Sequence, residues 1–297
     1  MIRPPIELTP TTVADWLEAS QLSDDAQERI ADATVQDELE QANVEETEVH
    51  LANLRGEVSR REQLLGPRYP LTRNGLGFRR KVAWQECLPY SFLLLVSLNQ
   101  LYRPLVFQAG SANVPAELFE SLAGAALKNY VGGEAIRIGA PRRQPVPAAF
   151  PHAVRYLADQ LSETFGYGEL EIQQGGDDGI DIVVWKPFND RLSSQLVVLA
   201  QCAIGTDWKE KRSSLDLNVW GRHIRWATAP LRAFAVPFQH ELGGIWEETG
   251  LRGGIILDRA RIVANLPDPA LPAAEIDRLR QWCVARLRRV RGLADVA

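Results

Sequence analysis

Several features that often reveal a protein's function are missing from this 297-residue sequence. Its three cysteines, Cys87, Cys202 and Cys283, are widely separated and odd in number, so neither a disulfide framework nor a zinc-type pair is expected. The longest apolar stretch, Tyr90 to Leu98, is too short to span a bilayer, and no basic region followed by an apolar one opens the chain. We therefore predict a reduced, cytoplasmic protein with no signal peptide and no membrane partner.

Motifs for common metal and nucleotide chemistry are also absent from the sequence. The four histidines lack the spacing of a metal site such as H-E-x-x-H, so we expect structural or surface roles for them. They are His50, His152, His223 and His240. The glycines near residue 175 do not form G-x-x-x-x-G-K-[ST], which argues against a P-loop and against nucleotide hydrolysis.

The net charge of −5 conceals two segments of opposite sign. Residues 1–65 carry 15 acidic and 5 basic residues, a net charge of −10, and the remaining 232 residues carry a net charge of +5. Because phosphate binding needs local positive charge, the basic remainder is compatible with a nucleic-acid partner although the whole-chain charge is not.

The spacing of apolar residues predicts helices in the first part of the chain. Residues 11–65 have the apolar spacing of amphipathic helices. These helices are either a solvated helix or hairpin, or else an arm that docks a partner or an acidic cover over a basic groove. The Gly-, Pro- and Arg-rich stretch 66–80 predicts a loop, and a buried helix follows at 84–102. We therefore place an N-terminal helical domain at 1–112, acidic over 1–65.

The second domain, residues 113–297, has the pattern of an α/β fold. Helices at 114–133 and 152–168 are followed by alternating or β-branched segments: "ELEIQQ", "IDIVVW", "LVVLAQCA", "LRAFAVPF" and "GGIILDRARIV". A last helix ends in arginines that either solvate it or contact nucleic-acid phosphates. The expected architecture is a central mixed sheet flanked by helices.

Polar groups lie at one end of the strands "IDIVVW" and "LVVLAQCA". Asp181 opens the first strand, and Gln201 lies near the end of the second, where an unpaired buried amide costs roughly 1–3 kcal/mol. In a hairpin of these strands, Asp181 and Gln201 lie side by side, and the chain that follows carries Lys209 and Lys211 to the same place. Carboxylate and amide oxygens suit Mg²⁺, and a lysine can orient or help deprotonate the attacking water. The pattern therefore indicates Mg²⁺-assisted phosphodiester cleavage.

Structural roles remain open for each of these residues. Asp181 could be a turn residue that bonds its own backbone, and Gln201 could have only a structural hydrogen bond. Lys209 and Lys211 could be ordinary surface residues.

The segment "GGDDGIDIVVW…LVVLAQCA" resembles the core of the PD-(D/E)xK nuclease superfamily, in particular its Mrr-like restriction endonuclease branch. The resemblance implies a restriction-endonuclease-like fold and DNA cleavage that depends on Mg²⁺ or Mn²⁺. It assigns Asp181 and Gln201 to the metal-binding positions of the family pattern. It also implies an acid on a preceding helix, for which Glu120 in "LFESLAGAAL" is the candidate and Glu163 the alternative.

One position departs from the family pattern. The lysine expected two residues after Gln201 is Ala203. Some family members carry this lysine on a neighbouring element, and here Lys211, or else Lys209, is the candidate. If neither lysine reaches the site, the chain is an inactive nuclease scaffold that serves as a DNA-binding or assembly subunit.

The resemblance also implies the partners. DNA is the expected substrate, within a bacterial defence against foreign DNA, and a helicase or sensor protein and a second copy of the chain are further candidates. The candidate DNA contacts are Arg286, Arg288 and Arg289 on the basic end of the last helix.

Overall fold

A computed structural model describes residues 1–24, 28–108, 111–166 and 178–293. The helices are α1 (Pro10–Ser23), α2 (Asp32–Gln41), α3 (Thr47–Leu65), α4 (Leu88–Ser97), α5 (Asn113–Val131), α6 (Phe150–Leu161), α7 (Trp208–Lys211), α8 (Leu217–His223), α9 (Gly244–Gly253), α10 (Arg259–Ala264) and α11 (Ala273–Arg291). The strands are β1 (Arg29–Ala31), β2 (Leu71–Arg73), β3 (Gly77–Arg80), β4 (Glu134–Arg137), β5 (Thr164–Phe165), β6 (Ile182–Lys186), β7 (Leu196–Cys202), β8 (Ile224–Arg225), β9 (Leu231–Ala235) and β10 (Ile255–Leu257).

The chain forms two compact units that are not continuous in sequence. Unit 1 comprises residues 1–115, 237–241 and 272–297, and unit 2 comprises residues 116–236 and 242–271. The predicted division at 112/113 lies near the first crossing between the units. Helix α11, which the prediction assigned to the second domain, packs against α1 and α4 in unit 1.

Unit 1 combines helices with a small antiparallel sheet of order β1-β3-β2. The segment 66–80 is predicted to be a loop because of its glycines, prolines and arginines, but it contributes two of these strands. One of the glycines allows the strands to pair. A Cβ at Gly77 would lie 2.6 Å from the carbonyl oxygen of Ile30 on the neighbouring strand, so only glycine allows this approach. Among the described residues, no helix has the length and apolarity needed to cross a membrane.

Unit 2 is built on a mixed five-stranded sheet of order β10-β9-β7-β6-β4. The β4–β6 and β6–β7 pairs are antiparallel, whereas the β7–β9 and β9–β10 pairs are parallel. The predicted hairpin of β6 and β7 is confirmed, with Ile182 opposite Ala200. The α/β class, with a helix-flanked central sheet, is likewise confirmed.

One hydrophobic cluster of unit 2 lies between the sheet and α6. Helix α6 buries Val154, Leu157 and Leu161 in one cluster with Val183 of β6 and Leu199 of β7. Each such aliphatic side chain contributes roughly 1.5–3 kcal/mol when fully buried. This packing fixes the two strands whose ends carry the polar groups.

One strand prediction is partly wrong, and another concerns residues that the structure does not describe. "GGIILDRARIV" is a strand only over β10, because Asp258 accepts a hydrogen bond from Arg261 N at 3.0 Å and caps α10. The prediction is therefore wrong after Leu257. The predicted strand "ELEIQQ" and residues 175–177 of the glycine-rich turn lie outside the described residues.

Candidate functional site

Asp181 is held by its backbone between β4 and β7. Its N–H donates to Ala200 O at 3.0 Å, and its carbonyl oxygen accepts from Ile138 N at 2.7 Å and Gly139 N at 3.0 Å. Its carboxylate Oδ2 accepts from Cys202 N at 2.7 Å. Chain segments on both sides therefore fix this carboxylate at the end of the sheet.

Glu120 reaches the same place from α5. Gly124, one turn further along α5, packs on β6, where a Cβ would lie 3.5 Å from Ile182 Cγ2. Glu120 is only 6% exposed, and it shares the sheet-facing side of the helix with Gly124. The small residue at 124 therefore lets α5 approach closely enough to bring a carboxylate to Asp181.

Gly139 shows how closely the two carboxylates converge. A Cβ at this position would lie 2.7 Å from Glu120 Oε2 and 3.0 Å from Asp181 Oδ1. Two carboxylate oxygens thus face one point beside the backbone of residue 139. Neighbouring carboxylates repel each other unless a cation or a proton compensates their charge.

Gln201 continues the β6–β7 register opposite Asp181 and is 6% exposed. Its Nε2 donates to Ser214 Oγ at 2.6 Å, and Ser214 Oγ donates in turn to Lys211 O at 3.0 Å. Because the carbonyl takes the serine proton, the serine oxygen must accept, which fixes the orientation of the amide. The amide oxygen Oε1 is buried and has no hydrogen-bond partner among the described residues.

The two candidate lysines of α7 have other neighbours. Lys211 Nζ lies 3.4 Å from Asp207 Oδ2, and Lys209 Nζ lies 5.7 Å from the centre of the Trp208 ring. Ala203, at the family's lysine position, is fully buried. Both ammonium groups thus lie against residues of α7 and its N-terminal flank.

Arg137, the last residue of β4, is a cation that sequence reasoning missed. Its Nε lies 2.5 Å from Glu120 Oε2. Arg137 pairs with Ile182, the neighbour of Asp181, and this register places it at the carboxylates. No motif in the sequence marks Arg137, because its role depends on which strand pairs with β6.

The pKa of the Cys202 thiol is affected by the charged groups of the cluster. Burial above all raises the pKa of this thiol well above its usual value, and the charges of Asp181 and Glu120 raise it further. The Arg137 guanidinium acts in the opposite direction on this pKa. The two carboxylates and the guanidinium thus act on this thiol in opposite directions.

The oxygen atoms at this end of the sheet are of the kind that hard divalent cations bind. Asp181 and Glu120 have carboxylate oxygens beside Gly139, and Gln201, on the adjacent strand, has a buried amide oxygen. Mg²⁺ often takes only one or two carboxylates and leaves other positions to water and substrate phosphate. Within the described ranges, no group of three or more His, Cys, Asp or Glu residues could hold a metal, so an ion here would need the amide or water.

The alternative acid, Glu163, has a structural role. Its two carboxylate oxygens accept from Ser194 N at 3.3 Å and Ala227 N at 2.9 Å. It is 8% exposed and ties two loops together. The structure therefore favours Glu120 over Glu163 as the helix acid beside Asp181.

A histidine pairs with the glycine-rich turn. His223 Nε2 lies 2.6 Å from Asp178 Oδ2, and Trp220 Nε1 donates to Asp178 O at 3.0 Å. These contacts anchor the described end of the turn that leads to Asp181. The expected structural role of His223 agrees with this geometry.

Arg286, a candidate DNA contact on α11, is buried. It is 3% exposed and donates to Leu95 O at 3.2 Å and Leu105 O at 2.7 Å. Burial, with a smaller contribution from the charge of Arg289, lowers its pKa to about 10. A guanidinium buried with these partners is not placed to reach a DNA phosphate, so the geometry favours a structural role for Arg286.

The other two candidate arginines of α11 lie at the surface. Arg288 and Arg289 are exposed, and Arg289 also donates to Pro104 O at 2.6 Å. Their exposure is compatible with phosphate contacts.

Compared with known proteins, the chain matches no protein-family model, no curated protein and no solved structure at a significant level.

Proposed function

We propose that this chain is a divalent-metal-dependent DNA endonuclease with a PD-(D/E)xK-like site at the end of β6 and β7. The observation that supports this most strongly is the convergence of Glu120 Oε2 and Asp181 Oδ1 within 3.0 Å of one point at Gly139. The buried amide oxygen of Gln201, a residue opposite Asp181 in the strand register, is the candidate for a third oxygen donor.

Each residue of the site has a separate task in this proposal. Asp181 Oδ2 accepts a hydrogen bond from Cys202 N, which would leave Oδ1, beside Gly139, to help hold an ion. Glu120 supplies the second carboxylate, and Ser214 holds the Gln201 amide so that its oxygen stays available. When bound, the ion would lower the pKa of a water and neutralise charge on the phosphate.

Basic residues on both flanks support a nucleic-acid substrate. On the side of β4, the Arg143 side chain is 58% exposed beside Glu117. On the side of β7, Lys209 is exposed and Lys211 is partly exposed. Such groups contact phosphates without reading sequence. The choice of DNA, the defence role and a helicase or sensor partner follow from the family resemblance.

A plasmid-cleavage assay with Mg²⁺, Mn²⁺ or EDTA tests the proposal. We expect metal-dependent cleavage by the unaltered chain and none by Asp181→Ala. Asp190→Ala is the matched control, because Asp190 lies in the loop at the opposite end of the same hairpin, where its carboxylate accepts from Leu192 N at 3.0 Å. Full activity of Asp181→Ala would refute the assignment.

A second candidate function is an inactive nuclease-fold module that binds DNA or assembles with a partner. The buried Ala203 favours it, because the position at which the family pattern has a lysine carries no ammonium group here. It predicts DNA binding in EDTA that Asp181→Ala leaves unchanged, without cleavage under any metal condition.

A further inference from the structure

Arg137 is largely buried beside Glu120 with few of its donors used. Its side chain is 18% exposed, and Nη1 donates to Pro141 O at 2.9 Å. Nε contacts Glu120 Oε2 at 2.5 Å but without the alignment of a hydrogen bond. Nη2 is also buried, and the described residues offer it no hydrogen-bond partner.

This arrangement is unusual for a buried arginine. Removing a guanidinium from water is compensated only when its N–H groups find acceptors as well as an opposite charge. Arg61 of unit 1 shows the satisfied case, because its N–H groups donate to the carboxylates of Glu57, Asp15 and Glu18 and to Thr11 O. Arg137 is held at Glu120 mainly by charge, so a second cation could replace it with little loss of hydrogen bonds.

The oxygen that Arg137 contacts is also the Glu120 oxygen that lies beside the Cβ position of Gly139. Glu120 Oε2 lies 2.5 Å from Arg137 Nε and 2.7 Å from the Cβ position of Gly139, beside Asp181 Oδ1. A divalent cation that binds both carboxylates must use this oxygen or its neighbour. It would then meet the positive charge of the guanidinium at close range.

We propose that Arg137 is an exchangeable counter-cation that competes with the divalent metal for Glu120. The inference rests on the metal site proposed above. In the metal-free chain, the positive charge of Arg137 offsets the repulsion between the two carboxylates and so keeps them together. The guanidinium leaves Glu120 when the metal binds, so Arg137 sets the metal concentration at which the site fills.

The test is calorimetric titration of the purified full chain with Mn²⁺ in the absence of DNA. Arg137→Met removes the charge and keeps much of the length of the side chain. We expect this variant to bind Mn²⁺ at least about tenfold more tightly than the unaltered chain, because the competing charge is gone. Arg137→Lys keeps the charge and should bind Mn²⁺ like the unaltered chain.

Arg143→Met is the matched control for this titration. Arg143 pairs with Glu117, one turn before Glu120 on α5, so its removal disturbs a more exposed ion pair of the same helix. We expect unchanged Mn²⁺ affinity. Thermal melting of each variant checks folding, and Arg137→Gln replaces Arg137→Met if the latter does not fold.

The outcomes separate this inference from the proposed function. Equal or weaker Mn²⁺ binding by Arg137→Met, with normal binding by the unaltered chain, would overturn the inference and leave the metal site standing. Binding by Arg137→Met alone would support the inference and point to the inactive module. Binding by neither protein would overturn both proposals.

Discussion

At the scale of single residues, the site depends on the missing side chain of Gly139. A Cβ there would press on Glu120 Oε2 at 2.7 Å and on Asp181 Oδ1 at 3.0 Å. The crowded atoms are the ends of side chains, so the carboxylates would move before the backbone does. Gly139 is therefore expected to matter for the site more than for the fold.

Gly139→Ala tests this dependence. We expect Mn²⁺ affinity to fall by about tenfold or more, as for other changes that displace metal ligands. The free energy of unfolding should change by less than about 1 kcal/mol. Gly56→Ala on α3 is the control, since its Cβ meets nothing within 4 Å and should leave Mn²⁺ binding unchanged. Unchanged affinity in Gly139→Ala would argue against two ligands at this point.

The sequence predicts the neighbourhood of Asp181 and Gln201 because strand alternation and one hairpin suffice to place them. It predicts Glu120 only through the family resemblance, because a helix acid reaches the sheet through tertiary packing. Arg137 is missed for the same reason. The directions of the two lysines depend on the phase of the four-residue helix α7, which no periodicity in so short a segment can fix.

At the scale of elements, α1 and α3 are joined by a buried ionic network. The Arg61 guanidinium is fully buried and donates to Glu57 Oε1 and Asp15 Oδ1, both at 2.7 Å. It also donates to Glu18 Oε1 at 2.8 Å and to Thr11 O at 3.0 Å. The spacing of apolar residues predicts these helices. The sequence does not reveal the network, because a charged side chain on a helix is ordinarily exposed to solvent.

Arg61→Leu should destabilise unit 1 strongly. It leaves buried carboxylates without their cation, for which we expect a loss of about 3–5 kcal/mol in the free energy of unfolding. Arg280→Ala removes an arginine whose partner Asp277 is exposed, and it should cost less than about 1 kcal/mol. Urea titration of the two variants measures the difference, and similar small losses would show that the network adds little.

The same network should make unit 1 sensitive to acid. Burial alone would raise the pKa of Glu57, but the charge of Arg61 and hydrogen bonds from Arg60 and Arg61 outweigh it and lower the pKa below its usual value. A carboxyl whose folded pKa is lowered stabilises the fold above its unfolded pKa and loses this contribution as the pH falls through the folded value.

Unfolding measured from neutral to acidic pH checks this direction. The unaltered chain should lose stability as the pH falls below about 4.3, the usual pKa of a glutamate. Glu57→Gln should show a smaller loss over the same range because it has no carboxyl to protonate at this position. Parallel profiles for the two proteins would exclude a contribution from Glu57.

At the scale of the whole molecule, the two units differ in how far the sequence predicts them. The central sheet of unit 2 follows from β-branched strands that lie close together in the chain. Unit 1 draws on both ends of the chain, and α11 joins it through contacts such as Arg286 with Leu95 O, which no local pattern records. The acidic segment 1–65 lies wholly in unit 1, whereas the converging carboxylates belong to unit 2.

The most direct test of the central claim compares two glutamates on one helix. Glu120 and Glu117 lie one turn apart on α5, but Glu120 lies with Asp181 beside Gly139, while Glu117 pairs with Arg143. DNA cleavage in Mn²⁺ should be abolished by Glu120→Gln and retained by Glu117→Gln. Equal cleavage by both variants and the unaltered chain would contradict a metal site built on Glu120 and Asp181.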